Sequence, residues 1–173
     1  NMSSSRALRD ITNKHNGSYT ASAVGEVNVV QMMKDTKAVI GGEGNGGIIY
    51  PELHYGRDSL VGVALFLSHL VEQKTTVSGL RASYPSYYMS KQKIALTPQI
   101  DVDAILEKMA DTYKAEEITT IDGVKIDFES NWVHLRKSNT EPIIRIYTEA
   151  VTQDAADSLA NTIIKEIKQI AGL

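Results

Sequence analysis

The sequence predicts a chain in two parts. The first is a partial α/β layer of the parallel type that lacks its opening strand. The second is a small α+β domain whose antiparallel sheet is covered by two helices. Three observations carry this. In the first half, short apolar runs alternate with helical periodicity in the order helix, strand, helix, strand, loop, helix, the grammar of a parallel layer. In the second half, an Asp122-Gly123 turn precedes alternating Val124, Ile126 and Phe128, as in a hairpin. Between them, residues 75–90 shift to Thr, Ser and Gly with Tyr84-Pro85-Ser86-Tyr87-Tyr88, which reads as a linker with aromatic anchors. The expected organisation is therefore an α/β domain over 1–74, a linker over 75–90 and an α+β domain over 91–173.

Each element has its own reason. Ser3, Ser4 and Ser5 precede an amphipathic run to His15, which predicts a capped helix ending at Asn16-Gly17. Tyr19 to Val24 predicts a short strand, Val27 to Lys34 a second helix, and Ala38-Val39-Ile40 a short buried strand. Asp58 is placed to cap a helix over 59–73. Its apolar run, Leu60 to Leu70, contains Ser68 and His69 and falls short of the ~20 residues a membrane span needs. It predicts a buried helix with His69 packed inside it. A parallel layer with only two short strands would leave raw edges, so the chain reads as starting partway through a domain. The second half predicts a strand at Gln92–Leu96, a helix at Val102–Tyr113, the hairpin, strands at Trp132–Leu135 and Ile143–Glu149, and a helix at Asp154–Ile170.

Composition removes several function classes. A net charge of −3 offers no electrostatic case for a nucleic-acid partner. With no cysteine, the chain has no disulfide scaffold, thiolate metal site or cysteine nucleophile, which fits a cytoplasmic protein. The N-terminus lacks a basic flank followed by an apolar core, so no signal peptide is read there. Neither a membrane nor a nucleic acid is an expected partner. Asp101 and Asp103 look like a carboxylate pair for a metal, but they open a helix after Thr97-Pro98 and read as a cap.

Two loops can carry chemistry. Gly41-Gly42-Glu43-Gly44-Asn45-Gly46-Gly47 frees the backbone and leaves two polar side chains. Ionised Glu43 only accepts, which suits adjacent hydroxyls, whereas Asn45 both donates and accepts. That is polyol chemistry. The spacing fits neither a P-loop nor a dinucleotide fingerprint, and a flexible turn would share the composition. His54 and Tyr55, in the loop that follows, are candidates for the rim of the site. The second loop is Arg136-Lys137-Ser138-Asn139-Thr140-Glu141-Pro142, with Arg145 beyond it. Arg136 and Arg145 offer planar forks suited to phosphate. Ser138, Asn139 and Thr140 add short donors, and Pro142 ends the turn. A polar hairpin with a surface Arg–Glu pair is the bland alternative, but Glu141 cannot neutralise both arginines and Lys137.

These loops, in this order, resemble those of the α-D-phosphohexomutases, which include phosphoglucomutase, phosphomannomutase and phosphoglucosamine mutase. Gly41–Gly47 with Gly56-Arg57-Asp58 is similar to the sugar-binding loop of their third domain. Val24-Gly25-Glu26-Val27 is similar to a loop of that domain that orients substrate. Arg136–Pro142 is similar to the phosphate-binding loop of their fourth domain. The resemblance covers essentially the whole chain and implies a C-terminal fragment of an isomerase. That enzyme interconverts hexose 1- and 6-phosphates through a bisphosphorylated sugar, with a phosphoserine donor in its first domain. It implies Glu43 and Asn45 at the sugar, and Arg136, Ser138, Asn139, Thr140 and Arg145 at the phosphate that is not reacting. It also implies magnesium held by aspartates of the second domain, so the ligands are expected outside this chain and no cofactor within it.

The expected partners are a hexose phosphate or bisphosphate and the missing N-terminal domains. The chain has no donor-type serine loop and no Asp-x-Asp-x-Asp cluster, so no catalytic residue is assigned and the fragment alone is expected to bind without turnover. Many members carry Ser where Asn45 stands and His where Gly47 stands, so sugar selectivity does not carry over at these positions. The competing reading is a stand-alone phosphosugar- or anion-binding module without catalytic activity.

Overall fold

The computed structural model describes residues 1–95, 100–138, 141 and 143–173. The chain separates into two compact units, Asn1–Ser86 and Tyr87–Leu173. The first contains α1 (Ala7–Lys14), α2 (Glu26–Thr36), β1 (Gly41–Glu43), β2 (Gly47–Ile49), α3 (Ser59–Glu72) and α4 (Val77–Ala82). The second contains β3 (Tyr88–Ala95), α5 (Val102–Thr112), β4 (Glu117–Thr119), β5 (Val124–Asp127), β6 (Trp132–Lys137), β7 (Ile143–Ala150) and α6 (Gln153–Ala171). No helix among the described residues is long and apolar enough to cross a membrane.

In the first unit, helices flank a small sheet, as an α/β class requires, but the pairing is antiparallel. β1 and β2 form a hairpin with Gly41 opposite Ile49 and Glu43 opposite Gly47. The expected parallel layer is not formed among the described residues. Residues 19–24, expected as a strand, are irregular. Their backbone meets the N-terminal segment through a bond from Met2 N–H to the Ser22 carbonyl at 2.9 Å rather than through a ladder. Ala38-Val39-Ile40 is not the buried strand its composition suggested. Val39 is 77% exposed and Ile40 50%, and the strand begins only at Gly41. The local core is small: Val29 and Met33 of α2 close on Ile49 of β2, with Val30 and Ala38 beside them.

The serine run turns the chain rather than capping it deeply. The Ser5 hydroxyl accepts from Ala7 N–H at 3.2 Å, and α1 starts at Ala7. Its end is as expected: Asn16 takes a positive φ of 56°, and Gly17 N–H returns to the Thr12 carbonyl at 2.9 Å.

Asp58 caps α3 as its position predicts, accepting from Leu60 and Val61 N–H at 2.9 and 3.0 Å. Those bonds, Val61's first, together with His54 hold the Asp58 carboxyl below the usual carboxylate range. The expected burial of α3 is overturned, since none of its residues is buried, with Leu60 79% and Val71 75% exposed. A helix that is apolar all round is built to be covered; here β2 meets it on one side, where Ile48 lies against Gly62, and most of its other apolar side chains stay exposed. The expected linker is also structured in part. Thr76 caps α4 through a bond from Gly79 N–H at 3.1 Å, and Tyr88 already opens β3.

The second unit follows the predicted plan. Its sheet runs β3-β7-β6-β5-β4, antiparallel throughout. Alternation sends Ile94, Val124, Ile126, Val133, Leu135, Ile144 and Ile146 to one face, where they pack with Ile105, Leu106 and Met109 of α5 and with Ile163 and Ile167 of α6. Asp101 caps α5, accepting from Asp103 and Ala104 N–H at 3.0 and 3.1 Å, as its sequence position predicts. Thr152 caps α6 in the same way.

Candidate functional site

In the first unit, the glycine-rich loop is the β1–β2 hairpin. Glu43 stands at the end of β1 with its side chain only 9% exposed. Its Oε1 accepts from the Asn1 side-chain amide at 2.7 Å and from Gly25 N–H at 3.2 Å. Arg57 is the hub beside it: its Nε lies 2.8 Å from Glu26 Oε2, and its terminal nitrogen lies 3.9 Å from Glu43 Oε2. The backbone N–H of Arg57 also donates to Glu26 Oε1 at 3.2 Å.

Three segments that lie apart in sequence, around Gly25-Glu26, Glu43 and Arg57, thus converge where the Arg57 guanidinium meets two carboxylates. Glu26 and Arg57 were not singled out from the sequence as site residues. Both lie in segments, Val24–Val27 and Gly56–Asp58, whose resemblance to loops of the family was the available signal. Asn45 sits apart, exposed at the hairpin tip, where its Oδ1 accepts from Gly47 N–H at 3.1 Å. His54 is committed within its own loop: Nδ1 accepts from Gly56 N–H at 3.0 Å and Nε2 faces Asp58 at 3.3 Å. Tyr55 lies beneath Lys34 at 5.0 Å.

In the second unit, the predicted phosphate loop joins β6 to β7. Arg136 projects from β6 on the face away from α5 and α6, since its neighbour Leu135 points into the core. Its Nε donates to Asp122 Oδ1 at 3.1 Å. That bond ties the arginine to the β4–β5 turn through its Nε alone. Arg145 stands directly opposite Arg136 in the β6–β7 register. Ser138 is buried, and its N–H closes the hairpin on the Ile143 carbonyl at 3.0 Å. Lys137 faces the other way, toward α5, where its Nζ meets Asp103 at 2.7 Å. It therefore does not join the two arginines. Asn139, Thr140 and Pro142 lie outside the described residues.

His134 supports the same turn. It is 2% exposed, and its Nε2 donates to the Asp122 carbonyl at 2.7 Å, because a carbonyl can only accept. Burial pushes the imidazole below the ordinary histidine range; the Asp122 carbonyl pulls it back, and Lys125 and Arg136 add to the downward push. A depressed folded value means the unfolded chain binds the proton more readily. This residue's contribution to stability is therefore complete above an ordinary value of about 6.5 and is lost as pH falls through the folded value. The denaturation midpoint should drop on going from about pH 7 to about pH 5, and His134→Gln should flatten that slope. Parallel slopes for the two proteins would exclude His134 as the source.

Comparison with known proteins gives the class first. Residues 1–88 match the family model described as phosphoglucomutase/phosphomannomutase, alpha/beta/alpha domain III, and residues 92–166 match the C-terminal domain of the same family. The chain belongs to the phosphoglucomutase/phosphomannomutase family. Among its relatives, a phosphoglucosamine/phosphogalactosamine mutase of Sulfurisphaera tokodaii is 36% identical over 169 residues, covering 96% of this chain and 37% of that protein.

Among solved structures, a phosphoglucomutase/phosphomannomutase family protein from Burkholderia thailandensis superposes with a TM-score of 0.74 at 21% identity, over 95% of this chain and 35% of that one. An N-acetylphosphoglucosamine mutase of Aspergillus fumigatus, solved with GlcNAc-6P and magnesium, has a TM-score of 0.60 at 13% identity, over 92% and 38%. These two likenesses show the fold. The chain spans little more than a third of the length of each protein it matches.

Proposed function

We propose that this chain is the sugar- and phosphate-holding part of a phosphohexomutase, an isomerase that interconverts hexose 1- and 6-phosphates through a bisphosphorylated sugar. The observation that carries the reading is the β6–β7 hairpin, where Arg136 is fixed by Asp122 and faces Arg145 across the ladder. In such a reaction one anchor serves both half-reactions, so it grips a phosphate and ignores which sugar carbon bears it. Charged guanidinium bonds from Arg136 and Arg145 do this, with Ser138, Asn139 and Thr140 as the neighbouring short donors.

Glu43 is the acceptor for sugar hydroxyls. A hydroxyl reaching it replaces the Asn1 amide, while Gly25 N–H continues to hold the carboxylate in place. Asn45 at the hairpin tip, with its Oδ1 engaged by Gly47, offers its amide N–H groups to the same sugar. The family's magnesium supplies charge neutralisation at the transferring phosphoryl group. The described residues contain no group of three His, Cys, Asp or Glu side chains able to hold a metal, so no step here runs through it. The phosphoryl donor and the metal ligands belong to domains of the parent protein outside this sequence.

The test is to titrate the chain with glucose, glucose 6-phosphate and inorganic phosphate while following backbone amide shifts. The expected result is saturable movement at the 136–145 hairpin with both phosphates, added movement around Glu43 only with the sugar phosphate, and no interconversion of 1- and 6-phosphates. Enzyme-like turnover by this chain alone, or no response to either phosphate, would overturn the reading.

A further inference from the structure

The register of the second unit places a third cation beside the two arginines. Lys93 of β3 is directly opposite Arg145 of β7, and Arg145 is directly opposite Arg136 of β6. Their neighbours Ile94, Ile144 and Leu135 all point into the helix-covered core, so Lys93, Arg145 and Arg136 share the other face as one cross-strand row. Strands lie about 4.8 Å apart, which puts the outer two backbones roughly 10 Å from one another. Long side chains reach across that gap to a single phosphate.

Like charges placed directly opposite one another in a sheet repel, and this row contains two such pairs in succession. Its only counter-charge among the described residues is Asp122, which meets Arg136 at the far end. No carboxylate among the described residues pairs with Lys93 or Arg145. By contrast, the other exposed cation of β3, Lys91, lies one row away with its Nζ 5.4 Å from the ring centroid of Tyr147.

We infer that Lys93 is a ligand-binding residue: the third arm of the anion site, closing it on the β3 side of Arg145. The inference rests on the phosphate-anchor reading above and adds a residue to that site. The occupant it fits is the dianion of a phosphomonoester, since a compact ammonium adds charge without the geometric demand of a third planar fork. The row is self-repelling when empty and compensated when filled, so one residue should affect the free and the bound protein in opposite directions.

The experiment uses the 173-residue chain with inorganic phosphate as the probe, read by calorimetric titration and by thermal denaturation with and without phosphate. Lys93→Ala should weaken phosphate binding on the order of tenfold or more, as loss of one charged hydrogen bond implies. It should also hold or raise the denaturation midpoint without phosphate and shrink the midpoint shift that phosphate produces. Lys93→Arg should restore most of the affinity, and Lys91→Ala should bind as the wild type does.

A lower midpoint without phosphate and unchanged affinity would mark Lys93 as a structural residue and overturn the inference. If Lys93→Ala binds normally while Arg136→Ala does not, the inference falls and the anchor stands. If both bind normally, the anchor reading falls with it.

Discussion

Replacing Arg136 by Ala should reduce phosphate affinity about 10- to 150-fold, the equivalent of about 1.5–3 kcal/mol for lost charged hydrogen bonds. The upper end is favoured by what is left behind. Asp122 now meets the guanidinium at 3.1 Å. Without that partner its carboxylate would repel the incoming phosphate. Stability should change little, within about 1 kcal/mol, because the pair is partly exposed and screened. Removal of the like charge opposite Arg145 partly offsets the lost pair. Arg136→Lys should recover part of the affinity, since it returns the charge without the planar fork that Asp122 orients. In the intact parent enzyme the same substitution should lower kcat/KM for hexose phosphates. Unchanged titration curves for the Ala variant would remove Arg136 from the site.

How much of this was legible beforehand depended on whether the deciding partner is local. The second unit was readable because its patterns are self-sufficient. The turn at Asp122-Gly123 sets the register, and alternation through Val124 and Ile126 names the buried face. Asp101 marks the start of α5, which ends at Thr112, one residue short of the expected Tyr113. The first unit was less readable because burial is a relation between elements. Residues 38–40 and α3 are apolar enough to be core, yet composition does not say what covers them, and they stand largely exposed.

The sites divide in the same way. The proposed roles of Glu43, Arg136 and Arg145 follow from residue chemistry in a loop or strand. The Arg57–Glu26 contact joins residues 31 apart, and Lys93 reaches Arg145 only through the β3–β7 register. No local window contains either relation. Lys137 shows the converse relation: adjacent to Arg136 in sequence and not assigned to the phosphate, it faces the other way because strand neighbours point to opposite faces.

Gly123 ties the fold of the second unit to its chemistry, and Gly123→Ala should be the most damaging single methyl in that unit. Its φ is +74°, a left-handed value that costs a residue with a side chain roughly 1–3 kcal/mol. A Cβ there would also overlap the Leu135 carbonyl oxygen and come within 3.2 Å of the Arg136 Cα. No rotamer relieves an overlap with backbone, so either the turn or β6 must move. Gly172 provides the control, because it has a similar φ of +71° and open space within 4 Å of where its Cβ would stand.

Gly172→Ala should therefore show the conformational cost alone, about 1 kcal/mol, whereas Gly123→Ala should lower the unfolding free energy by about 2–3 kcal/mol. The turn also carries Asp122, whose carbonyl holds His134 and whose carboxylate holds Arg136. Phosphate affinity should thus fall in Gly123→Ala even under conditions where the domain remains folded, and stay at the wild-type value in Gly172→Ala. Equal denaturation midpoints for the two variants would show that the close approach of the turn to β6 contributes nothing, and normal phosphate binding by folded Gly123→Ala would uncouple the turn from the anchor.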